Sequence, residues 1–221
     1  MMKILVFAPH PDDDVIGCGG SIAKHLKQGN KVTIVYMTSG DAGSLKYAKN
    51  ELVKIREKEA RNAVKIFGVK DIIFLGNPDG YLEYNKENLV KIINLIRQKK
   101  PNIIYIPHKY DTHKDHMNTY ELVIESISRA SGSWFQECNG EPWQVGTILC
   151  YEIWTPLQEI SYIENITEFI DLKIKALKQH KSQIHDIQYD EAVRCLNRYR
   201  GIMMGKGEYC ECFQVLKINK I

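Results

Sequence analysis

The residues best able to do chemistry in this chain fall in two short stretches, each directly after an apolar run. After "KILVFAP" come His10, Pro11, Asp12, Asp13 and Asp14. After "PNIIYIP" comes "HKYDTHKDH", with His108, Asp111, His113, Asp115 and His116. A turn that opens a helix needs only one Asp or Asn as its cap, and three adjacent carboxylates repel one another. A cation would relieve that repulsion. His10 and Asp13 are three apart, so across a turn both side chains can reach one ion, and His116 at the start of the next helix can close a His2Asp set. Three protein ligands with an open fourth position is the arrangement of a catalytic zinc, whose bound water ionises near neutral pH. Nitrogen and oxygen donors without thiolate suit Zn2+, Fe2+, Co2+ or Mn2+, so donor type does not choose the metal. A plainer reading stays open for each stretch taken singly: a helix cap with surplus surface charge, and a solvated polar turn.

The elements around these stretches alternate. Strands are expected at Lys3–Ala8, Lys31–Thr38, 71–76, 101–108 and 145–153, with helices at 14–28, 44–68, 86–100 and 116–131 between them. The apolar spacing of 167–182 (Phe169, Leu172, Ile174, Leu177) predicts one amphipathic helix. A final helix and a strand over 210–218 follow, and 131–143 reads as irregular. Alternation of this kind implies an α/β, Rossmann-like fold: a mostly parallel sheet with helices on both faces, in a single domain over residues 1–221. In such sheets ligands bind beyond the carboxyl ends of the strands, where strand order reverses. With the common order 3-2-1-4-5 that place lies between the first and fourth strands, and both His/Asp stretches arrive there.

The bulk properties exclude several classes. A length of 221 residues buries a sizeable core, and a net charge of +3 with no basic block gives no support for nucleic acid. The first apolar run stops at His10, too short for a signal peptide or a membrane span, which makes the cytoplasm the expected compartment. The six cysteines form no Cys-x2-Cys pair, and a disulfide framework is not expected in a reducing compartment. Cys210 and Cys212 flank one residue of a strand and so share a face.

Together, "APHPDDDVIGCGG" and "HKDH" resemble the two signatures of the LmbE-like, PIG-L deacetylase family, with Asp14 where Glu is usual and Pro9 immediately before His10. Weaker resemblance runs through "REKEARNA", "KIKALKQHKSQ" and "GEYCECF". The resemblance implies a zinc-dependent hydrolase acting on linear amide C–N bonds, which removes an N-acetyl group from an N-acetylglucosamine-containing small molecule or glycoconjugate. It implies His10, Asp13 and His116 as metal ligands and Asp12 as general base. His113, held by Asp115, becomes the second group that polarises the acyl carbonyl, acting as an imidazolium. Arg56 takes the place of a substrate-binding arginine, and family members form trimers or hexamers. From the residues alone, Asp12 beside a ligand is placed to take a proton from a metal-bound water and return it to the leaving amine.

Tyr189 and Tyr209 are candidate oxyanion or substrate contacts, with Tyr189 preferred and core or rim placement the plainer reading of each, and Asp41 and Asp79 are candidates for sugar hydroxyls. Gly17, Gly19 and Gly20 are expected to let a helix approach the sheet. Two rival readings compete. A nucleotide-binding domain would use those glycines, but three Asp stand where a pyrophosphate would sit and the second strand ends without a ribose-binding acid. A metal phosphoesterase would call for two metals and more ligands.

Overall fold

A computed structural model describes residues 1–185 and 187–218. The first strand sets the architecture. In β1 (Lys3–Ala8), Ile4, Val6 and Ala8 join the core on one face of the sheet, and Leu5 and Phe7 join the core on the other. A strand apolar on both faces must be covered on both. On the first face lie α1 (Asp13–Lys27), α2 (Lys49–Phe67), α5 (Ile170–Leu177) and α7 (Tyr189–Met204); α3 (Lys86–Lys99) and α4 (Lys114–Ala130) cover the second. With β2 (Lys31–Thr38), β3 (Asp71–Asn77), β4 (Ile103–Pro107), β5 (Thr147–Tyr151), β6 (Tyr162–Asn165) and β7 (Cys210–Lys217), the sheet runs β3-β2-β1-β4-β5-β7-β6. The five strands from β3 to β5 are parallel, and β7 pairs antiparallel with both β5 and β6. The expected order and its reversal between β1 and β4 are therefore present.

The differences have local causes. Residues 44–48 are not helical. The loop that holds them is drawn to the carboxyl ends of the strands, where Arg56 Nη1 donates to Gly40 O at 3.2 Å and Ala42 N donates to Asp79 at 3.3 Å. The helix expected over 167–182 breaks into a 3-10 turn (Thr167–Phe169), α5 and the one-turn α6 (Lys181–Ile184). β6 carries no clear sequence signal, being a four-residue edge strand with no fully buried side chain. All six cysteines are free, and Cys210 and Cys212 are buried on one face of β7 as small apolar groups. Among the described residues no helix is long and apolar enough to cross a membrane.

Helix α1 is the element that delivers the first stretch, and it is irregular at two points. Asp12 occupies its N-cap position with φ 149°, a left-handed conformation that costs a non-glycine residue on the order of 1–3 kcal/mol. Its side chain makes no capping bond; the Asp12 carbonyl accepts from Val15 and Ile16, and the carboxylate is turned elsewhere. Further along, the helix kinks at Cys18, and the Gly20 and Ser21 amides leave the helical ladder to donate to Glu211 on β7, each at 2.8 Å. Lys173 of α5 completes this knot at 2.7 Å from Glu211, with both side chains almost wholly buried. Glycine makes the close approach feasible: a Cβ on Gly17 would stand 2.1 Å from the Tyr151 ring and one on Gly20 2.6 Å from Ile166.

Two predictions concern this scaffold. Lys173→Met leaves Glu211 buried without its counter-charge, and urea unfolding should show a loss of about 3–5 kcal/mol. Removing Glu211 as well should recover little, because the two α1 amides lose their acceptor; full recovery in the double variant would show that the amides do not depend on it. At position 12, Gly should be more stable than Ala by about 1–2 kcal/mol, since both lose the carboxylate and only Gly tolerates the left-handed backbone. Equal stability of the two variants would show that position 12 stores no strain.

Candidate active site

The two His/Asp stretches meet where the parallel strands end. His10 lies two residues beyond β1, and His113 caps α4 after β4. A cleft of about 290 Å³ opens over them, walled by His10, Asp12, Asp13, Ala42, Gly43, Arg56, Asp79, Gly80, His113, Trp154, Gln183 and Tyr189. His116 is fully buried just beneath, its ring 5.2 Å from that of His10.

His10 is gripped at both ring nitrogens. Nε2 lies 3.1 Å from Asp79 Oδ1 and 3.2 Å from Asp115 Oδ2, while Nδ1 lies 3.0 Å from Asp13 Oδ2 and 3.2 Å from His116 Nε2. The triangle closes with His116 Nε2 at 3.4 Å from Asp13 Oδ2. Two carboxylates at Nε2 draw the ring proton there, which leaves the Nδ1 lone pair facing the other two atoms. Tetrahedral coordination at bond lengths of about 2.0–2.2 Å places ligand atoms roughly 3.4 Å apart, close to these edges. The donor set and its spacing therefore fit one divalent ion.

Two other groups also bring ligand atoms within 4.8 Å of one another: His10, His113 and His116, and His10, Asp79 and Asp115. In the second, the carboxylates are already engaged. Asp115 accepts from Gly80 N at 2.7 Å and Leu82 N at 3.1 Å, and Asp79 accepts from Ala42 N. They serve as orienting partners of His10, as second-layer carboxylates do for ligating histidines. Asp111 stands in the same relation to His116, with Oδ1 3.2 Å from Nδ1, and is itself fixed by the amides of His113, Trp154 and Thr155.

The electrostatics report a demand for positive charge. Burial alone would push His10 down, but bonds to Asp115, Asp13 and Asp79 hold it well above the usual imidazole range. His116 likewise overcomes burial, raised to about 9 by the Asp13 charge and by Asp111. Asp13, despite burial, is held far below the usual carboxylate range by the same two histidines. Asp12 behaves in the opposite way: burial pushes it up to about 7 against the pull of Arg56 and the histidines.

Arg56 reaches the cleft wall as a buried side chain. The residue is 2% exposed, and its two Nη groups donate to Pro11 O (2.9 Å), Asp12 Oδ2 (3.1 Å) and Gly40 O (3.2 Å). Arg56, expected as a substrate-binding arginine, stands in the cleft wall and bonds to Asp12. One expectation is corrected: the Asp115 carboxylate is turned to His10, not to the His113 ring. Asp115 reaches His113 only through its backbone amide, which donates to Nδ1 at 3.2 Å. That bond leaves the proton on Nε2 of a neutral His113. Burial and the neighbouring His10 and His116 lower its pKa, so the imidazolium form is disfavoured.

Tyr189 lines the cleft as expected, half-buried against Trp154 with ring centroids 5.0 Å apart. Tyr209 packs against the core on the α7 side instead, and His108 is a satisfied structural histidine bonded to Thr155 O at 2.7 Å. Trp154 was not anticipated from sequence. Its signal was positional: it lies just beyond the carboxyl end of β5, the strand beside β4.

Residues 5–127 match the PIG-L family model, described as GlcNAc-PI de-N-acetylase. The chain is 30% identical to diacetylchitobiose deacetylase of Thermococcus kodakarensis, over 92% of this chain and 79% of that one. It is also 30% identical to a probable N-acetyl-alpha-D-glucosaminyl L-malate deacetylase 2 of Bacillus cereus, over 88% and 90% of the two chains. Among solved structures, N,N'-diacetylchitobiose deacetylase from Pyrococcus horikoshii superposes with a TM-score of 0.89 at 31% identity, covering 97% of this chain and 84% of that one. Signatures, fold and likeness over nearly the whole chain agree: the protein belongs to the PIG-L, LmbE-like family.

Proposed function

We propose that this protein is a divalent-metal-dependent hydrolase, with zinc the expected ion, that removes the N-acetyl group from an N-acetylglucosamine-containing small molecule or glycoconjugate. The observation that carries the reading is the triangle of His10 Nδ1, Asp13 Oδ2 and His116 Nε2, with edges of 3.0, 3.2 and 3.4 Å, opening on a cleft beside Asp12. Family membership and the deacetylase names of the relatives support it.

His10, Asp13 and His116 would hold the ion. When bound, it supplies a Lewis acid for the acyl carbonyl and lowers the pKa of a water. Asp12 acts as general base and takes a proton from the attacking water. Arg56, bonded to Asp12 Oδ2, keeps that carboxylate aimed into the cleft. The water oxygen bonds to the acyl carbon, the C–N bond breaks, and the proton held by Asp12 passes to the departing nitrogen, giving acetate and a free amine. His113 donates its Nε2–H to the developing oxyanion as a neutral imidazole. Asp115 contributes by orienting His10 and by fixing the His113 tautomer through its amide. Trp154 and Tyr189 form an aromatic wall suited to a sugar ring.

Elemental analysis of protein purified without added metal should find about one equivalent of a divalent ion per chain, and His116→Ala should lose it. Full metal retention in that variant would remove His116 from the ligand set. On a panel of N-acetylglucosamine derivatives read by amine release, Asp12→Asn should keep metal yet lower turnover by about 10²–10⁴-fold. His113→Ala should lower turnover by roughly 10²–10³-fold, again with metal intact. Near-native turnover in either variant would reassign that role.

A further inference from the structure

We propose that Gln183 is a specificity-determining acceptor for a hydroxyl of the amino-sugar ring, and that Glu59, through Ser182, is the positioning residue that fixes its amide. The proposal rests on the hydrolase reading above for the sugar, and its own evidence comes from residues that the reaction does not use. These are the closing "HKSQ" of "KIKALKQHKSQ" and the carboxylate they fold against. His180 is fully buried, and its carbonyl accepts Gln183 N and Ile184 N at 3.0 Å each, so the single turn of α6 starts from a seated residue. That turn brings Gln183 into the wall of the reaction cleft, beside Gly43, Arg56, Trp154 and Tyr189.

The hydrogen bonds allow one orientation of the Gln183 amide. A carboxylate only accepts, so the single proton of the Ser182 hydroxyl goes to Glu59 Oε2 at 2.7 Å, while Oε1 accepts the Ser182 amide at 2.8 Å. Ser182 Oγ then has only lone pairs left, and its contact with Gln183 at 3.0 Å is made by the Nε2 amino group. Oε1 is the atom that remains. It is the nearer of the two to Gly43, where a Cβ would stand 2.8 Å from Oε1 and 3.3 Å from Nε2. Among the described residues no donor is bonded to it. The same Cβ would stand 2.5 Å from Arg56 Nη1, and Arg56 Nη2 holds Asp12, so Oε1 and the general base share one side of the cleft. The carboxylates there are committed: Asp12 to Arg56, Asp13 to His10, and Asp79 to His10 and Ala42 N. A neutral acceptor among them suits an uncharged donor. The acetamido nitrogen has to face Asp12 to receive its proton, which leaves a ring hydroxyl for Gln183.

The test measures kcat/KM for N,N'-diacetylchitobiose and N-acetylglucosaminyl L-malate, each with the 3-, 4- and 6-deoxy forms of its non-reducing N-acetylglucosamine. Wild type should lose about three- to tenfold on one of the three deoxy forms, the size of one neutral hydrogen bond. Gln183→Leu should lose that factor on the parent compound and no longer tell parent from deoxy form. Glu59→Gln can give an N–H to Ser182 Oγ, which turns the hydroxyl proton toward Gln183 and its amide over, so this variant should lose the discrimination too. Ser182→Ala, which removes the partner of Nε2, should weaken it and serves where Glu59→Gln does not fold. A residue that only supported the fold would lower parent and deoxy forms by one common factor. That result, or discrimination surviving in Gln183→Leu, overturns the proposal. Calorimetric titration of the same compounds into Asp12→Asn, with and without Gln183→Leu, separates the two readings. Hydroxyl-dependent binding abolished by Gln183→Leu, without amine release from any compound by wild type, would keep the acceptor and sink the deacetylase. Amine release by wild type with equal binding of parent and deoxy forms would sink the acceptor.

Discussion

His10 Nδ1, Asp13 Oδ2 and His116 Nε2 lie 3.0–3.4 Å from one another in a buried pocket, and the surrounding structure is arranged around that cluster. Three such acceptors repel one another unless protons or a cation stand between them. The two imidazoles answer by holding protons well above their ordinary range, and a divalent ion would satisfy all three atoms at once. Around them lies a layer whose task is orientation. Asp79 and Asp115 turn His10, Asp111 backs His116, and the Gly80, Leu82, Trp154 and Thr155 amides hold those carboxylates ionised and in place.

A concentration of buried charge of this kind needs a rigid support, because displacing one member leaves another unpaired in low dielectric. The parallel strands provide it by ending in register at β1 and β4, which brings residues 105 positions apart into hydrogen-bond contact. The left-handed Asp12 backbone supplies the second condition. A regular cap would have folded its carboxylate back on the helix amides; in this conformation it turns to Arg56 and the cleft. The Lys173–Glu211 knot then fastens the kinked α1 to the antiparallel β7, so the helix that begins in strain is anchored at its middle.

Much of this was legible in the sequence, and the limits were physical. Strand-apolar runs followed by His/Asp bursts are local patterns, and the rule that ligands bind at a strand-order reversal brought the two bursts together. Which carboxylate serves which histidine was not legible. Asp115 is two residues from His113, and sequence proximity assigned it there. On a helix, however, residues two apart do not face each other, and the carboxylate turns across the sheet to His10. Arg56 was marked by the resemblance of "REKEARNA", and only the fold reveals that its two Nη groups bond to Pro11, Asp12 and Gly40. Trp154 lies in a segment without regular structure after β5, where periodicity carries no information.

The reassignment of Asp115 changes what His113 has to be. An imidazolium at that point would sit with its ring 4.8 Å from both His10 and His116, which themselves gather positive charge, and the same repulsion would grow with a divalent ion among them. A neutral imidazole avoids that cost and still presents a hydrogen, provided its tautomer is fixed. The Asp115 amide fixes it by donating to Nδ1. Asp115 thus acts on two histidines by two different groups: its carboxylate bonds to His10 Nε2, which leaves Nδ1 for the proposed ion, and its amide donates to His113 Nδ1, which leaves the proton on Nε2. One residue at the first turn of α4 sets both tautomers, so the His10 and His113 halves of the site, to which the proposal gives the ion and the oxyanion, are tied to a single backbone position.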